Sequence, residues 1–355
     1  MKIISIVGAR PQFIKIASLS KKLRKKHKEI TIHTGQHYDT EMSQLFFDEL
    51  KISKPNYNLE VGSGNHGQQT GKMLIEIEKI LIKEKPNLVL VYGDTNSTLA
   101  GALAASKLHI TIGHIEAGLR SFQKTMPEEI NRVVTDHISD LFFCPTINAI
   151  NLLKKEGITK KVYFTGDVMY DSVKQNIKIS QNTSGILKRL KVKSKKYILA
   201  TIHRTINTDN KQNLESIFDA FILSNKKIII PLHPRTEKFI KRYKLYDKII
   251  SAKNIIMIKP LGYLDMLELE ENAEKIITDS GGIQKEAYFL KTPCITLRNE
   301  TEWIETVKDK WNILVGNDKT KILNAIESFE TKTAQHNYFG DGNAAKEITN
   351  IIDNL

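Results

Sequence analysis

The sequence is short of the residues that crosslink or anchor a fold. Cys144 and Cys294 are its only cysteines. They form neither a CxxC pair nor a metal-ligand spacing, so no disulfide framework is expected and a reduced, cytoplasmic setting is. No apolar run is long enough to span a membrane. The N-terminal stretch MKIISIVGARPQ lacks the basic leader, apolar block and small-residue cleavage site of a signal peptide, and reads as a first buried strand. The glycine turn of ITDSGGIQKEA is neither a Walker A loop nor GxGxxG, so neither ATP hydrolysis nor a nicotinamide cofactor is indicated there. There is no HExxH or other paired-ligand spacing, so no metal is expected. Zinc-finger, RNP and basic-aromatic patterns are missing too, and with them the case for a nucleic-acid partner.

Cationic residues are in excess, 53 Lys and Arg against 40 Asp and Glu, for a net charge of +13. They are spread along the chain. The densest cluster, KKLRKKHK from Lys21 to Lys28, falls at the predicted C-terminus of the first helix, where positive charge complements the dipole and reads as solvated decoration. The 355 residues exceed one ordinary core, and two domains are expected.

Short β-rich apolar runs recur: IISIV, ITIHT, NLVLVYG, ITIGHIE, LFFCP and KVYFTG, then YILATIH, KIIIPLH, IIMIKP, KIITDS and CITLR. Amphipathic segments such as TGKMLIEIEKILIKEK separate many of them. This alternation predicts an α/β protein with parallel sheets covered by helices on both faces. It occurs twice, with a polar, lysine- and serine-rich stretch between the sets, which puts a domain boundary near residues 166 to 195. The predicted architecture is two Rossmann-like, doubly wound domains facing across a cleft.

Ligands of such sheets bind outside the carboxyl ends of the strands. The polar residues directly after each apolar run are therefore the candidates: Gly8 to Lys15, Gln36 and His37, Asp94 to Ser97, Glu116, His203 and Arg204, His233 to Arg235, and Asp279 to Gly282. In ITDSGGIQKEA, Gly281 and Gly282 let backbone approach a ligand, the helix start offers free N–H groups to an anion, and Ser280 adds a hydroxyl. Glu286, about a turn into that helix, can accept from two ribose hydroxyls. In GARPQFIK, Arg10 lies in the turn and Lys15 in the helix. Both can meet a diphosphate, although an exposed helix lysine is the plain alternative for Lys15. Asp94 reads equally as a helix cap or a catalyst. Glu128 of PEEINR, taken singly, is a first-turn partner of the helix dipole. Asp94, Glu116 and Glu128 taken together suit proton transfer, because carboxylates sharing a cleft can hold a proton between them. His203 adds a shuttle or a phosphate donor, and His233 occupies the same kind of position.

GARPQFIK, TGQHYDTEM, VYGDTNSTLAGALAA, HIEAGLRS, PEEINR, TIHR, PLHPR, TDSGGIQKEA and YFGDG together resemble the non-hydrolysing UDP-N-acetylglucosamine 2-epimerase family, in order and over essentially the whole chain. The resemblance implies a GT-B fold. Residues 1–166 with a C-terminal helix at about 340–355 would carry the acid/base groups, and residues 167–339 would bind UDP. It implies inversion at C2 of a UDP-2-acetamido sugar by elimination and re-addition of UDP, through a 2-acetamidoglucal held by domain closure. No cofactor or metal is implied. Asp94, Glu116, Glu128 and His203 would be catalytic, with Glu129 as support. Arg10, Lys15, His233, Ser280, Gly281 and Gly282 would hold the diphosphate, and Glu286 the ribose. The resemblance further implies a homodimer and a role in surface polysaccharide or glycan precursor synthesis.

The chain departs from the better-known members in three places, with VGARPQ for FGTRPE, HYD for HRQ and ETEWIE for TTERPE. Asp39 stands where members activated allosterically by substrate carry a different polar residue. GARPQF, NSTLAGALAASKL and TEWIE resemble the branch that epimerises UDP-2,3-diacetamido-2,3-dideoxyglucuronate. A GT-B glycosyltransferase is a further alternative, but it has no need of Asp94, Glu116 and Glu128 together. A hydrolysing epimerase would release free sugar, and a nucleotide-sugar sensor would leave C2 untouched.

Overall fold

The computed structural model describes residues 1–36 and 47–355; His37 and Asp39 lie outside the described residues. The chain forms two compact units, one of Met1–Lys174 with Asn337–Leu355, the other of Gln175–His336.

In the first unit, seven parallel strands form one sheet: β1 (Lys2–Val7), β2 (Lys28–His33), β3 (Tyr57–Asn58), β4 (Leu88–Tyr92), β5 (Thr111–Ile115), β6 (Leu141–Cys144) and β7 (Val162–Phe164). Their order is β3-β2-β1-β4-β5-β6-β7, so the winding reverses between β1 and β4. The second unit repeats the plan with six parallel strands: β8 (Ile198–Thr201), β9 (Ile228–Pro231), β10 (Ile255–Ile258), β11 (Lys275–Thr278), β12 (Cys294–Thr296) and β13 (Asn312–Leu314). Its order, β10-β9-β8-β11-β12-β13, reverses between β8 and β11. These are α/β sheets of the doubly wound type, whose ligand crevices open where the order reverses.

The central strands are continuous apolar runs because helices cover both faces. Ile4, Ile6, Val89 and Val91 are fully buried, as are Ile198, Ala200, Ile276 and Ile277. Two strands escaped the sequence reading. β3 is only two residues long, and β13 is the half-polar NIL. Both are sheet edges, where one missing neighbour relaxes the demand for an apolar run.

The first helix, Arg10–Leu23, is buried nearly all round from Gln12 to Ser20. The sheet covers one side. On another, Ser172 Oγ donates to the Ile14 carbonyl and Ser18 Oγ to the Val168 carbonyl. The C-terminal helix Ala344–Asp353 packs against it as well. Asp171 accepts the free N–H groups of Ala344 and Ala345, and Asp353 meets Lys26 and His27.

Among the described residues no helix is long and apolar enough to cross a membrane. Both cysteines are buried and free. Burial pushes both thiols up, that of Cys294 to about 12.

Candidate active site

In the first unit the loops after β1, β4 and β5 converge. Gln12 ties the first two together. Its carbonyl oxygen accepts from the Gly8 and Ala9 N–H groups at 2.7 and 3.1 Å, and its amide donates to the Tyr92 carbonyl at 2.8 Å. The turn before the helix and the end of β4 are thereby fixed to each other by one buried side chain. Arg10, half-buried, opens that helix.

After β4 the chain turns through Gly93 and Asp94. Gly93 has φ +63°, and a Cβ there would stand 2.8 Å from Lys15 Nζ and 3.3 Å from Glu116 Oε1. Only glycine satisfies both the backbone angle and the crowding. The following helix, Asn96–Lys107, is capped by Thr95, whose side chain accepts from the Thr98 N–H. The capping role open to Asp94 thus belongs to its neighbour. The Asp94 carboxylate is half-buried and receives Arg132 Nη2 at 2.6 Å instead.

Glu116, directly after β5, has φ +72° and is held there as its N–H donates to the Phe143 carbonyl. Its carboxylate pairs with Lys15 at 2.5 Å, both side chains only 6 % exposed. The exposed-lysine alternative for Lys15 is therefore wrong. Lys15 lies on a helix covered on all sides, and its ammonium is turned to the acid at the end of β5. Gln36, after β2, accepts from Ser97 N–H and Oγ.

The adjacent glutamates of PEEINR stand in different surroundings because successive helix positions face different directions. Glu129 is buried and accepts from the Ser121 and Phe122 N–H groups, Ser121 Oγ and Arg132. It is a support for the loop before the helix Pro127–Ile138. Glu128 is half-buried and has no hydrogen-bond or ion-pair partner among the described residues. Arg132 holds Asp94 and Glu129 at once. Its spacing of three residues from Glu129 on a predicted helix was a signal for that contact.

Burial raises the Glu129 carboxyl, but the backbone donors of Ser121 and Phe122 and the Arg132 guanidinium outweigh it and leave the group below its ordinary value. Buried Asp136 is likewise held low, by His114 and Arg120 against desolvation. A depressed folded-state value means stability that is full above the unfolded value, about pH 4 for carboxylates, and is lost as pH falls through the folded one. Melting temperature is therefore expected to be flat near neutrality and to drop below about pH 4. Glu129→Gln should shrink that drop, and a Tm unchanged down to about pH 3 would contradict the assignment.

In the second unit the site is built on Asp279, at the end of β11 and fully buried. It accepts from the His203 and Arg204 N–H groups at 3.0 to 3.1 Å and from Asn207 Nδ2 at 3.0 Å. One carboxylate thus shapes the turn after β8 that presents half-buried His203. The sequence reading placed Asp279 at a strand end without giving it this work. The His203 and His233 rings lie with centroids 5.4 Å apart. His233 caps the helix Pro234–Arg242 by accepting the Arg235 N–H on Nδ1 at 3.1 Å. In the neutral ring this leaves the proton on Nε2, a donor suited to an anion.

Ser280 caps the helix Gly281–Phe289, so Gly281 and Gly282 stand at its start with their amides at the positive end of the dipole. A Cβ at Gly281 would collide with Glu302 Oε1, and Arg298 holds Glu302 at 2.9 Å. Glu286, buried, lies further along the same helix. A backbone anion site followed by a carboxylate suits a nucleoside diphosphate.

A family model described as UDP-N-acetylglucosamine 2-epimerase matches residues 21–353. A Methanococcus maripaludis protein named UDP-N-acetylglucosamine 2-epimerase homolog is 60% identical over 357 residues, all of both chains. UDP-2,3-diacetamido-2,3-dideoxy-D-glucuronate 2-epimerase of Pseudomonas aeruginosa is 46% identical, again over the whole of both chains. The crystal structure of Methanocaldococcus jannaschii UDP-GlcNAc 2-epimerase in complex with UDP-GlcNAc and UDP is 49% identical. It aligns with a TM-score of 0.95 and full coverage of both chains. The fold is of GT-B type, as the resemblance implied.

Proposed function

The chain belongs to the UDP-N-acetylglucosamine 2-epimerase family, and from that premise we propose that it inverts C2 of a UDP-2-acetamido sugar, interconverting UDP-N-acetylglucosamine and UDP-N-acetylmannosamine without net hydrolysis. The observation that carries this reading is the grouping of two carboxylates at the ends of β4 and β5, each held by a cation, Asp94 by Arg132 and Glu116 by Lys15.

C2 of such a sugar has no adjacent carbonyl, so its proton is not acidic and direct abstraction is disfavoured. Elimination avoids the problem. A base takes the C2 proton, the C–H pair forms the C1–C2 double bond, and the C1–O pair leaves with UDP. The resulting 2-acetamidoglucal then accepts a proton at C2 on the opposite face as a UDP oxygen returns to C1. Two faces need two sets of proton-transfer groups. Asp94, Glu116, Glu128 and His203 are the catalytic set of this proposal. Arg10, Lys15, His233 and the Ser280–Gly282 turn hold the diphosphate and stabilise the charge it develops on leaving. Glu286 takes the ribose hydroxyls. No cofactor is required, because elimination and re-addition move only a proton and the UDP group, and no hydride or electron passes to an acceptor.

A second reading applies the same chemistry to UDP-2,3-diacetamido-2,3-dideoxyglucuronate, and the relative bearing that name, at 46% identity, supports it. Either product is a precursor for surface polysaccharide or glycan, made in the cytoplasm by a homodimer. Proton NMR of the protein with UDP-N-acetylglucosamine in deuterated water separates these readings. UDP-N-acetylmannosamine carrying deuterium at C2 is the expected product. Exchange only with the diacetamidouronate would move the substrate to the second reading. No C2 exchange with either sugar would overturn the epimerase proposal.

A further inference from the structure

His114 has no part in the chemistry above, yet it is fully buried on β5 with both ring nitrogens engaged. Nε2 lies 2.8 Å from the Gly93 carbonyl, and Nδ1 lies 2.7 Å from Asp136 Oδ1. A carbonyl oxygen only accepts, so Nε2 carries a proton. On its other oxygen Asp136 receives Arg120 Nη1 at 2.6 Å and the Gly118 N–H at 3.2 Å. With a guanidinium and a backbone N–H already donating to Oδ2, Asp136 is an acceptor, and the proton between Oδ1 and Nδ1 sits on the ring. The ring therefore has two N–H groups.

Charge counting agrees. Arg120 continues to Glu156 at 2.6 Å, so the cluster reads His114, Asp136, Arg120, Glu156. Two acids balance two cations only if the histidine is charged. A ring lacking the Nδ1 proton would instead set a nitrogen lone pair against Asp136 Oδ1 at 2.7 Å in the interior, which is costly. Cys144, whose thiol is pushed up by burial and by Asp136, and His137, 3.9 Å from Glu156 at the surface, also face the cluster.

We propose that His114 is a buried imidazolium that pins the Gly93–Asp94 turn and so acts as a positioning residue for the Asp94 carboxylate. The turn is gripped from β5 at both ends of Gly93. The Gly93 N–H donates to the Ile115 carbonyl at 2.9 Å, while its carbonyl accepts from His114. Asp94 is the next residue, and its placement against Arg132 follows from where that peptide stands. The ionised hydrogen bond is stronger than a neutral one, which suits a glycine turn that has little intrinsic preference for its conformation.

This inference rests on the epimerase reading for its kinetic part but not for its spectroscopic part. In protein labelled with 15N-histidine, His114 should show a one-bond proton coupling on both ring nitrogens at neutral pH. A single protonated nitrogen overturns the proposal whether or not the protein is an epimerase. In kinetics, His114→Asn removes the donor facing Gly93, whereas His114→Gln places an amide near the Nε2 position. The Asn variant should lose about 100-fold in kcat, as expected for a misplaced catalytic group, with little change in KM, and the Gln variant should recover a large part of it. Equal losses in the two variants, or a loss confined to KM, overturn the positioning role. An inactive wild-type protein that still shows both couplings would instead sink the epimerase reading and leave the imidazolium standing.

Discussion

Asp94→Asn is expected to lower kcat by about a thousandfold, the range associated with loss of a general acid or base. The substitution preserves shape and removes only the charge. The turn should survive, because Thr95 rather than Asp94 caps the helix. Arg132 should not be stranded, because Glu129 still receives it at 2.9 Å. UDP affinity should stay within about threefold of wild type, since the loss falls on the chemical step. The check is C2 deuterium incorporation measured beside a UDP binding isotherm. Wild-type exchange in this variant would remove Asp94 from the catalytic set. A weakened UDP isotherm with unchanged kcat would recast it as a binding residue.

Lys15→Met should have the largest effect on stability. It deletes the ammonium that meets Glu116 at 2.5 Å and leaves a side chain of similar length in the same place. Deleting one partner of a buried pair strands the other charge, at a cost of about 3–5 kcal/mol. For a unit of this size that is about 10 °C in Tm. The double variant Lys15→Met, Glu116→Gln should regain a substantial part of the loss, because the stranded charge is then gone. A single variant that melts with the wild type would show that the pair contributes nothing to the fold. A double variant no better than the single would place the cost in packing rather than charge.

The elements most legible in the sequence were local. The run LVLVY followed by GDT, or KIIT followed by DSGG, fixes a strand, its end and a glycine turn within ten residues. That is enough to locate Asp94 and Ser280 at carboxyl ends, because strand propensity and turn chemistry act over a few bonds. β3 and β13 were missed for the converse reason, since an edge strand of two or three residues leaves almost no pattern.

The partners of those residues were not legible. Lys15 and Glu116 are 101 positions apart, and Asp94 and Arg132 are 38 apart. Helical spacing offered Lys15 an exposed face, but every residue from Gln12 to Ser20 on that helix is buried. The division between Glu128 and Glu129 was anticipated from the resemblance, yet the donors that make Glu129 a support come from a loop whose path no periodicity predicts. Asp279 and His114 were visible as residue types at or near strand ends. Their work consists of contacts with backbone groups on neighbouring strands and loops.

The sequence by itself determined two doubly wound α/β sheets, the strand ends where polar residues gather, and the glycine turns that follow them. All of these follow from short-range periodicity and backbone sterics. The tertiary structure alone decided which cation holds which acid, which donors occupy Glu129, and which groups meet the two ring nitrogens of His114. Those outcomes depend on charges brought within 3 Å of one another from distant parts of the chain, where burial makes each unmade pairing costly.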